Sequence, residues 1–267
     1  MKQKYVKYYQ TFSAAAPFVF LWDSLFAPSR LARLSLANRQ QDYAALGGKP
    51  DLLALHGRLH QQLLESRARW ESYDYGEGYF YQSSPELGIR GLRDTQARFE
   101  DMELALRVQG KRVLEIGCNT GFLTLKLAGT AEHVTAFDIN PYLVRIGELG
   151  AEHLGLSNVR FLVSCFEELD IGGEYDAVIS FANHSTYDQN TRQTVQQYLD
   201  RCRDHIRPGG TFLFESHPPQ HEGAALESVC EEIARRFEVD ERRLLFRGTF
   251  LDRDRTYIAA RRSNGEA

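Results

Sequence analysis

One ten-residue segment constrains this chain more than any other: Val113-Leu114-Glu115-Ile116-Gly117-Cys118-Asn119-Thr120-Gly121-Phe122. A short apolar run carries an acidic residue, turns through a glycine loop and enters a helix predicted over Leu123–Ala128. A strand flanked in this way is buried on both faces and belongs to a βαβ unit. The same texture recurs at Arg112–Ile116, Val134–Phe137, Val159–Val163, Ala177–Phe181 and Thr211–Phe214, with helical stretches between. This predicts an α/β fold, doubly wound around a mostly parallel sheet. The end of the chain differs. Arg243–Phe250 and Arg255–Ala260 read as two strands joined by Leu251-Asp252-Arg253-Asp254, a hairpin that makes one edge antiparallel.

The first 110 residues read as helical. Predicted helices cover Phe12–Phe26 (Pro17 near its first turn), Arg30–Leu46 (stopped by Gly47-Gly48) and Pro50 to about Trp70. Leu53, Leu55, Leu59, Leu63 and Leu64 mark the apolar face of the third. Glu71–Arg93, rich in Gly, Tyr and Ser, reads as an ordered loop. A further helix runs from Asp94 or Thr95 to Val108, with Phe99, Met102, Leu104 and Leu106 periodic. Charge divides at the same place: 14 basic and 12 acidic residues up to 110, then 18 and 24. Two domains are expected, a helical cap at 1–110 with an aromatic loop at 70–82, and a sheet domain at 111–267.

Composition narrows the function. With 43% hydrophobic and 25% charged residues the chain is an ordinary globular protein. A net charge of −4 gives no electrostatic footprint for nucleic acid, so nucleic-acid partners are not expected. No apolar run approaches a membrane span. Lys2, Lys4 and Lys7 precede an apolar stretch from Phe12 to Trp22, but Pro17 interrupts it and Asp23 follows closely, against a signal peptide. Cys118, Cys165, Cys202 and Cys230 show no C-x-x-C spacing, so neither zinc nor disulfides are expected and a cytoplasmic location fits.

The glycine loop discriminates between ligands. A dinucleotide fingerprint G-x-G-x-x-G requires glycine at 117, 119 and 122, where the chain has Gly117, Asn119 and Phe122. The pattern E-x-G-x-N-x-G instead resembles motif I of the class I S-adenosylmethionine (SAM) dependent methyltransferases. Further motifs follow in the family's order: Val134–Ile139 ending in Asp138, Val159–Val163 with the turn Ser164–Leu169, Tyr175–Phe181, and Arg207–Phe214. The resemblance covers about residues 105–262. It implies a Rossmann-like sheet of seven strands with an antiparallel edge hairpin, and SAM as cosubstrate or sole substrate. It also implies that Glu115 and the backbone of Gly117, Cys118, Asn119 and Gly121 sit near the methionine moiety. Asp138, followed by Ile139, holds the ribose, Cys165 and Phe166 frame adenine, and Phe181 lies beside the methionine amine. The family usually has Asp where Cys165 stands, and a thiol is a poor acceptor.

Acceptor chemistry is expected beyond the carboxyl ends of the strands. Asn183, His184, Ser185 and Tyr187 follow the fourth strand, and His217 follows the fifth. His184 is a candidate general base at neutral pH, or a residue that orders its loop by hydrogen bonding. In the aromatic loop, Tyr75 and Tyr79 are candidates to face a sulfonium or a substrate polar group, or to pack as part of the cap. Gly76 and Gly78 suit a lid. Arg90 is a candidate partner for the SAM carboxylate, or a surface ion pair.

Three functions compete. The first is methyl transfer to a small-molecule acceptor. The second is intramolecular cyclisation of SAM to azetidine-2-carboxylate plus methylthioadenosine, since the lid and the 183–188 loop resemble azetidine-2-carboxylate synthases. The third is a tRNA-modifying transferase, suggested by a loose resemblance of Gly91–Thr95 to wobble-uridine enzymes. Oligomeric state is open.

Overall fold

A computed structural model describes residues 27–70, 74–184, 192–217, 221–245 and 255–264. The predicted helix at Phe12–Phe26 lies outside them. The chain divides into two compact units, one up to Gln96 and one from Ala97 onward. The boundary therefore falls before the predicted 110. Phe99, Met102, Leu104 and Val108 pack in one apolar cluster with Val113, Leu123, Leu127 and Val134, which ties them to the sheet.

In the first unit, α1 (Ala27–Ala45) and α2 (Pro50–Arg69) account for two of the predicted helices. Pro50 opens α2 in its first turn, where its missing N–H leaves no bond unmade. The buried face of α2 carries Leu55, Leu59 and Leu63, together with His56 and His60. Leu53 and Leu64, expected on that face, are exposed because they lie off this four-residue row. A polar row on α1 holds the segment that follows α2. Ser35 donates to the Gly76 carbonyl and Asn38 to that of Gly91. Asp42, fully buried, accepts from the Tyr79 hydroxyl at 3.0 Å, the Arg90 amide at 2.9 Å and the Arg90 guanidinium at 2.6 Å. A 3-10 turn at Pro85–Leu87 and an antiparallel bridge between Ser84 and Ile89 complete the ordered loop.

The helix expected from Thr95 to Val108 is broken in two, α3 (Thr95–Asp101) and α4 (Leu104–Val108). Glu103 lies between them at φ +52°, a left-handed conformation that no α-helix accommodates.

The sheet has seven strands: β1 (Arg112–Ile116), β2 (His133–Asp138), β3 (Val159–Val163), β4 (Tyr175–Phe181), β5 (Ile206–Glu215), β6 (Glu238–Leu245) and β7 (Arg255–Arg261). Their order is β3-β2-β1-β4-β5-β7-β6. The first five pair in parallel, and β7 runs antiparallel to β5 and β6. The mostly parallel seven-stranded sheet with an antiparallel edge is thus present. The edge strand starts at Glu238 rather than Arg243, and the predicted connection at 251–254 lies outside the described residues.

Helices α5 (Phe122–Ala128), α6 (Pro141–Leu154), α7 (Val195–Asp204) and α8 (Gly223–Arg236) connect the strands. Alternation sends Leu114, Ile116 and Val178 into one apolar layer and Val113, Ala177 and Ile179 into the other. A sheet filled on both faces leaves binding chemistry to the strand ends, and the order reverses between β1 and β4. Among the described residues, no helix is long and apolar enough to cross a membrane.

Candidate functional site

The loop after β1 turns through three left-handed residues: Gly117 at φ +65°, Asn119 at +55° and Gly121 at +73°. Asn is among the few side chains that adopt this conformation readily, which accounts for its place between two glycines. A Cβ on Gly121 would lie 2.6 Å from the Phe161 ring. One on Gly117 would collide with the Asn183 side chain. Asn183 donates to the Ile116 carbonyl, so the segment after β4 is tied to the end of β1. Ala182 makes this turn at φ +59°, a conformation costing a non-glycine residue roughly 1–2 kcal/mol. Its amide donates to the Glu215 carbonyl at 3.0 Å, which helps hold it there.

Asp138 closes the other side of the loop. One carboxylate oxygen accepts from the Asn119 amide at 2.9 Å and the other from the Asn140 amide at 3.0 Å. Asn140, absent from the sequence candidates, caps α6 by accepting from the Tyr142 and Leu143 amides. The Asn-Pro pair at a helix start was the signal that could have found it. Ile139 lies half-buried between them.

Glu115 is buried and accepts a 2.6 Å hydrogen bond from the Thr124 hydroxyl on α5. Burial pushes its carboxyl up to about 7, against the opposing pull of Thr124 and of the Arg98 charge. Cys118 is also buried, and its amide donates to the Phe137 carbonyl at 2.9 Å. Burial pushes its thiol well up, so it packs as a neutral group.

Phe166 differs from expectation. It is a core side chain, 5.9 Å from Phe137, 5.2 Å from Tyr198, and 5.3 Å from the Arg201 guanidinium. Its ring is enclosed because the turn after β3 folds back under α7, where Arg201 also binds the Phe166 and Leu169 carbonyls. Cys165, half-buried, and the turn's backbone are what this segment presents. The Ser164 amide bonds the Asp138 carbonyl at 3.1 Å and keeps that turn beside β2.

His184 packs 4.9 Å from Tyr198 and 6.3 Å from His221, nearly parallel to the latter. Its Nε2 faces the Gln193 carbonyl at 3.4 Å. Burial lowers its pKa, against the opposing pull of backbone hydrogen bonds with Gln193 and Thr194. His217 uses its amide to donate to His221 Nδ1 at 3.1 Å, and burial lowers His221 to about 4. Tyr187 and Ser185 lie outside the described residues.

Sequence reasoning missed a buried charged group at the ends of β4, β5 and β7. Glu215, fully buried, pairs with Arg98 of α3, and Arg255 lies 3.8 Å away. The Arg98 guanidinium sits 5.0 Å from the Phe181 ring centre. Phe181 is in turn 6.4 Å from Tyr257.

The structure therefore gathers Glu115, Gly117, Cys118, Asn119, Gly121, Asp138, Ile139, Cys165, Phe181, Asn183 and His184 in the second unit. Tyr75, Tyr79 and Arg90 belong to the first. There Tyr75 packs 5.6 Å from Tyr81, and Tyr79 and Arg90 both bind Asp42. Arg90 thus has a buried carboxylate partner of its own.

The loop offers bare backbone, and Asp138 is oriented by two amides with acceptor capacity for hydroxyls. A buried carboxyl and a guanidinium stand at neighbouring strand ends, as a zwitterion requires. Among the described residues, no group of three or more His, Cys, Asp or Glu could hold a metal ion.

Residues 113–210 match the family described as "Methyltransferase domain". The release factor glutamine methyltransferase of Salmonella typhimurium is 30% identical over 144 residues, which is 46% of this chain and 52% of that one. The ubiquinone biosynthesis O-methyltransferase of Xanthomonas axonopodis pv. citri is 35% identical over 141 residues, 52% of this chain and 56% of that one. The chain thus spans about half the length of the curated relatives it matches. Among solved structures, the N-methyltransferase NodS of Bradyrhizobium japonicum has a TM-score of 0.54 at 19% identity, over 63% of this chain and 96% of that one. A SAM-dependent methyltransferase of Aquifex aeolicus has a TM-score of 0.51 at 16% identity, over 64% and 94%. At these identities the two structures speak to the fold.

Proposed function

We propose that this chain, whose residues 113–210 match a methyltransferase domain family, is a class I SAM-dependent methyltransferase that transfers the methyl group of SAM to a small-molecule acceptor. The observation that carries the reading is the Asp138 carboxylate, held by loop and helix amides at the end of β2 beside Gly117–Gly121. SAM supplies a methyl already activated on a sulfonium. The protein's part is to bind it, align an acceptor and exclude water.

In this reading Asp138 accepts both ribose hydroxyls. The Cys165 turn borders adenine through its backbone. Glu115, ionised when a cation approaches, faces the methionine ammonium. Phe181 supplies an aromatic face at the end of β4. His184 takes the acceptor's proton. Asn183 holds the floor of the loop rather than reacting. The roles of Tyr75 and Tyr79 are separable by Tyr→Phe variants assayed for kcat and KM. Two observations support a small acceptor: the net charge of −4 and the similarity to a ubiquinone-pathway enzyme. A cytoplasmic setting is supported by four free thiols, three of them buried.

The test is calorimetric titration with SAM, followed by incubation with SAM alone. Micromolar binding with SAM left intact is expected. Methylthioadenosine released without an acceptor would overturn methyl transfer in favour of SAM reacting on itself.

A further inference from the structure

We propose that His221 donates a hydrogen bond to the acceptor's reacting oxygen, so that the group methylated is a hydroxyl rather than an amine. The assignment rests on the methyl-transfer reading above. His184 and His221 follow neighbouring strands, β4 and β5, and their rings lie 6.3 Å apart with planes 8° from parallel. At that separation one oxygen can reach both rings with hydrogen bonds of about 2.8 Å.

The backbone decides what His221 offers. Its Nδ1 accepts from the His217 amide at 3.1 Å, and an amide can only donate, so Nδ1 carries no proton. In the neutral ring the proton is then on Nε2. Burial and, after it, the charge of His184 lower the His221 pKa to about 4, which keeps the ring neutral at pH 7. Its orientation is held from two sides. The His221 amide returns a bond to the His217 carbonyl at 3.0 Å, and Phe214 packs 5.8 Å from the ring. The residue is 3% exposed, yet its Nε2 has no hydrogen-bond partner among the described residues. A donor buried for packing alone and left unbonded would cost about 1–3 kcal/mol. The Tyr198 hydroxyl nearby is, by contrast, bonded to the Ser180 Oγ at 2.7 Å.

A hydroxyl oxygen has two lone pairs and one proton. One pair accepts from His221 Nε2–H, the other attacks the methyl carbon, and the proton passes to His184. The oxygen–carbon bond forms as the carbon–sulfur bond breaks, and the electrons of the latter stay on sulfur in S-adenosylhomocysteine. A neutral amine has a single lone pair. Donation from His221 would occupy the pair that has to attack, so the same N–H that orients a hydroxyl opposes an amine.

The experiment joins NMR of the imidazole nitrogens at pH 7 to labelled-methyl transfer from SAM onto two matched probes, catechol and o-phenylenediamine. His221 should show a protonated Nε2 and a bare Nδ1, and catechol should be methylated about tenfold faster than the diamine or more. His221→Asn keeps an acceptor for the His217 amide but no outer N–H. It should bind SAM within about twofold of wild type and lose about tenfold to a hundredfold in kcat/KM on catechol. His221→Gln, which places an N–H near the Nε2 position, should recover part of that loss. A protonated Nδ1, transfer to the diamine as fast as to catechol, or transfer to neither probe would overturn the assignment alone. Equal losses in both variants with SAM binding intact would make His221 a structural strut and overturn it too. A wild-type protein that does not bind SAM would overturn the methyl-transfer reading and the assignment with it.

Discussion

The Asn119 amide donates to the Asp138 carboxylate at 2.9 Å, joining the loop after β1 to the end of β2. The bond makes one rigid cradle of two strand ends. It also leaves Asp138 oriented before any ligand arrives, which reduces the ordering cost of binding.

Asp138→Ala should therefore weaken SAM by on the order of a hundredfold, through loss of two charge-assisted hydrogen bonds. Asp138→Asn should be nearly as damaging, because one side of its amide would set N–H against a backbone N–H. Calorimetric titration of both variants checks this. An Asp138→Ala protein with wild-type SAM affinity would show that the nucleoside lies elsewhere.

The Gly117 position has no room for a side chain, because Asn183 fills it. Gly117→Ala should lower stability by about 2 kcal/mol, from the left-handed backbone together with displacement of Asn183. Adding Asn183→Gly should restore part of the loss but not the backbone component. A double-mutant cycle by urea denaturation measures the coupling, and strict additivity would contradict the contact.

Glu115 makes stability depend on pH in a defined direction. Its folded carboxyl is raised by burial to about 7, from 4.5 for the free group. Between those values the folded state binds the extra proton, so this contribution is present at low pH and is lost as pH rises through 7. Glu115→Gln removes the penalty. Relative to wild type, the variant should gain stability between pH 5 and pH 8, by about 3 kcal/mol at most. Its SAM affinity should fall meanwhile. Thermal melts of both proteins across that range decide; a constant difference in melting temperature would refute a raised Glu115.

Asp42 orders the aromatic segment within the first unit. Asp42→Ala leaves the buried Tyr79 hydroxyl without its acceptor and frees Arg90, at a cost on the order of 2 kcal/mol. Hydrogen exchange should accelerate in residues 76–93 more than in α2. Unchanged protection there would mean that the Ser35 and Asn38 bonds suffice.

How much was legible in advance depended on the range of the interaction. The five parallel strands showed themselves because each is an apolar run bounded by its own turn. The loop showed itself because glycine at 117 and 121 and asparagine at 119 are what a left-handed path demands. The break at Glu103 was hidden, since nothing in Glu103 itself favours a left-handed turn. Phe166 read as a ligand-facing aromatic because a sequence cannot say which way a turn folds; here the packing of α7 encloses it.

The succession of strands and helices, the conformation of the glycine loop and the carboxylate at the end of β2 were legible in the amino-acid order alone. These rest on residue type and local spacing. Which charges meet was set by the folded chain. It joined Arg98 to Glu215 across more than a hundred residues of chain and gave Arg90 to Asp42. It also turned Asn183 back onto Gly117. Such pairings depend on which strand ends become neighbours in the sheet, and burial then decides how strongly each charge is felt.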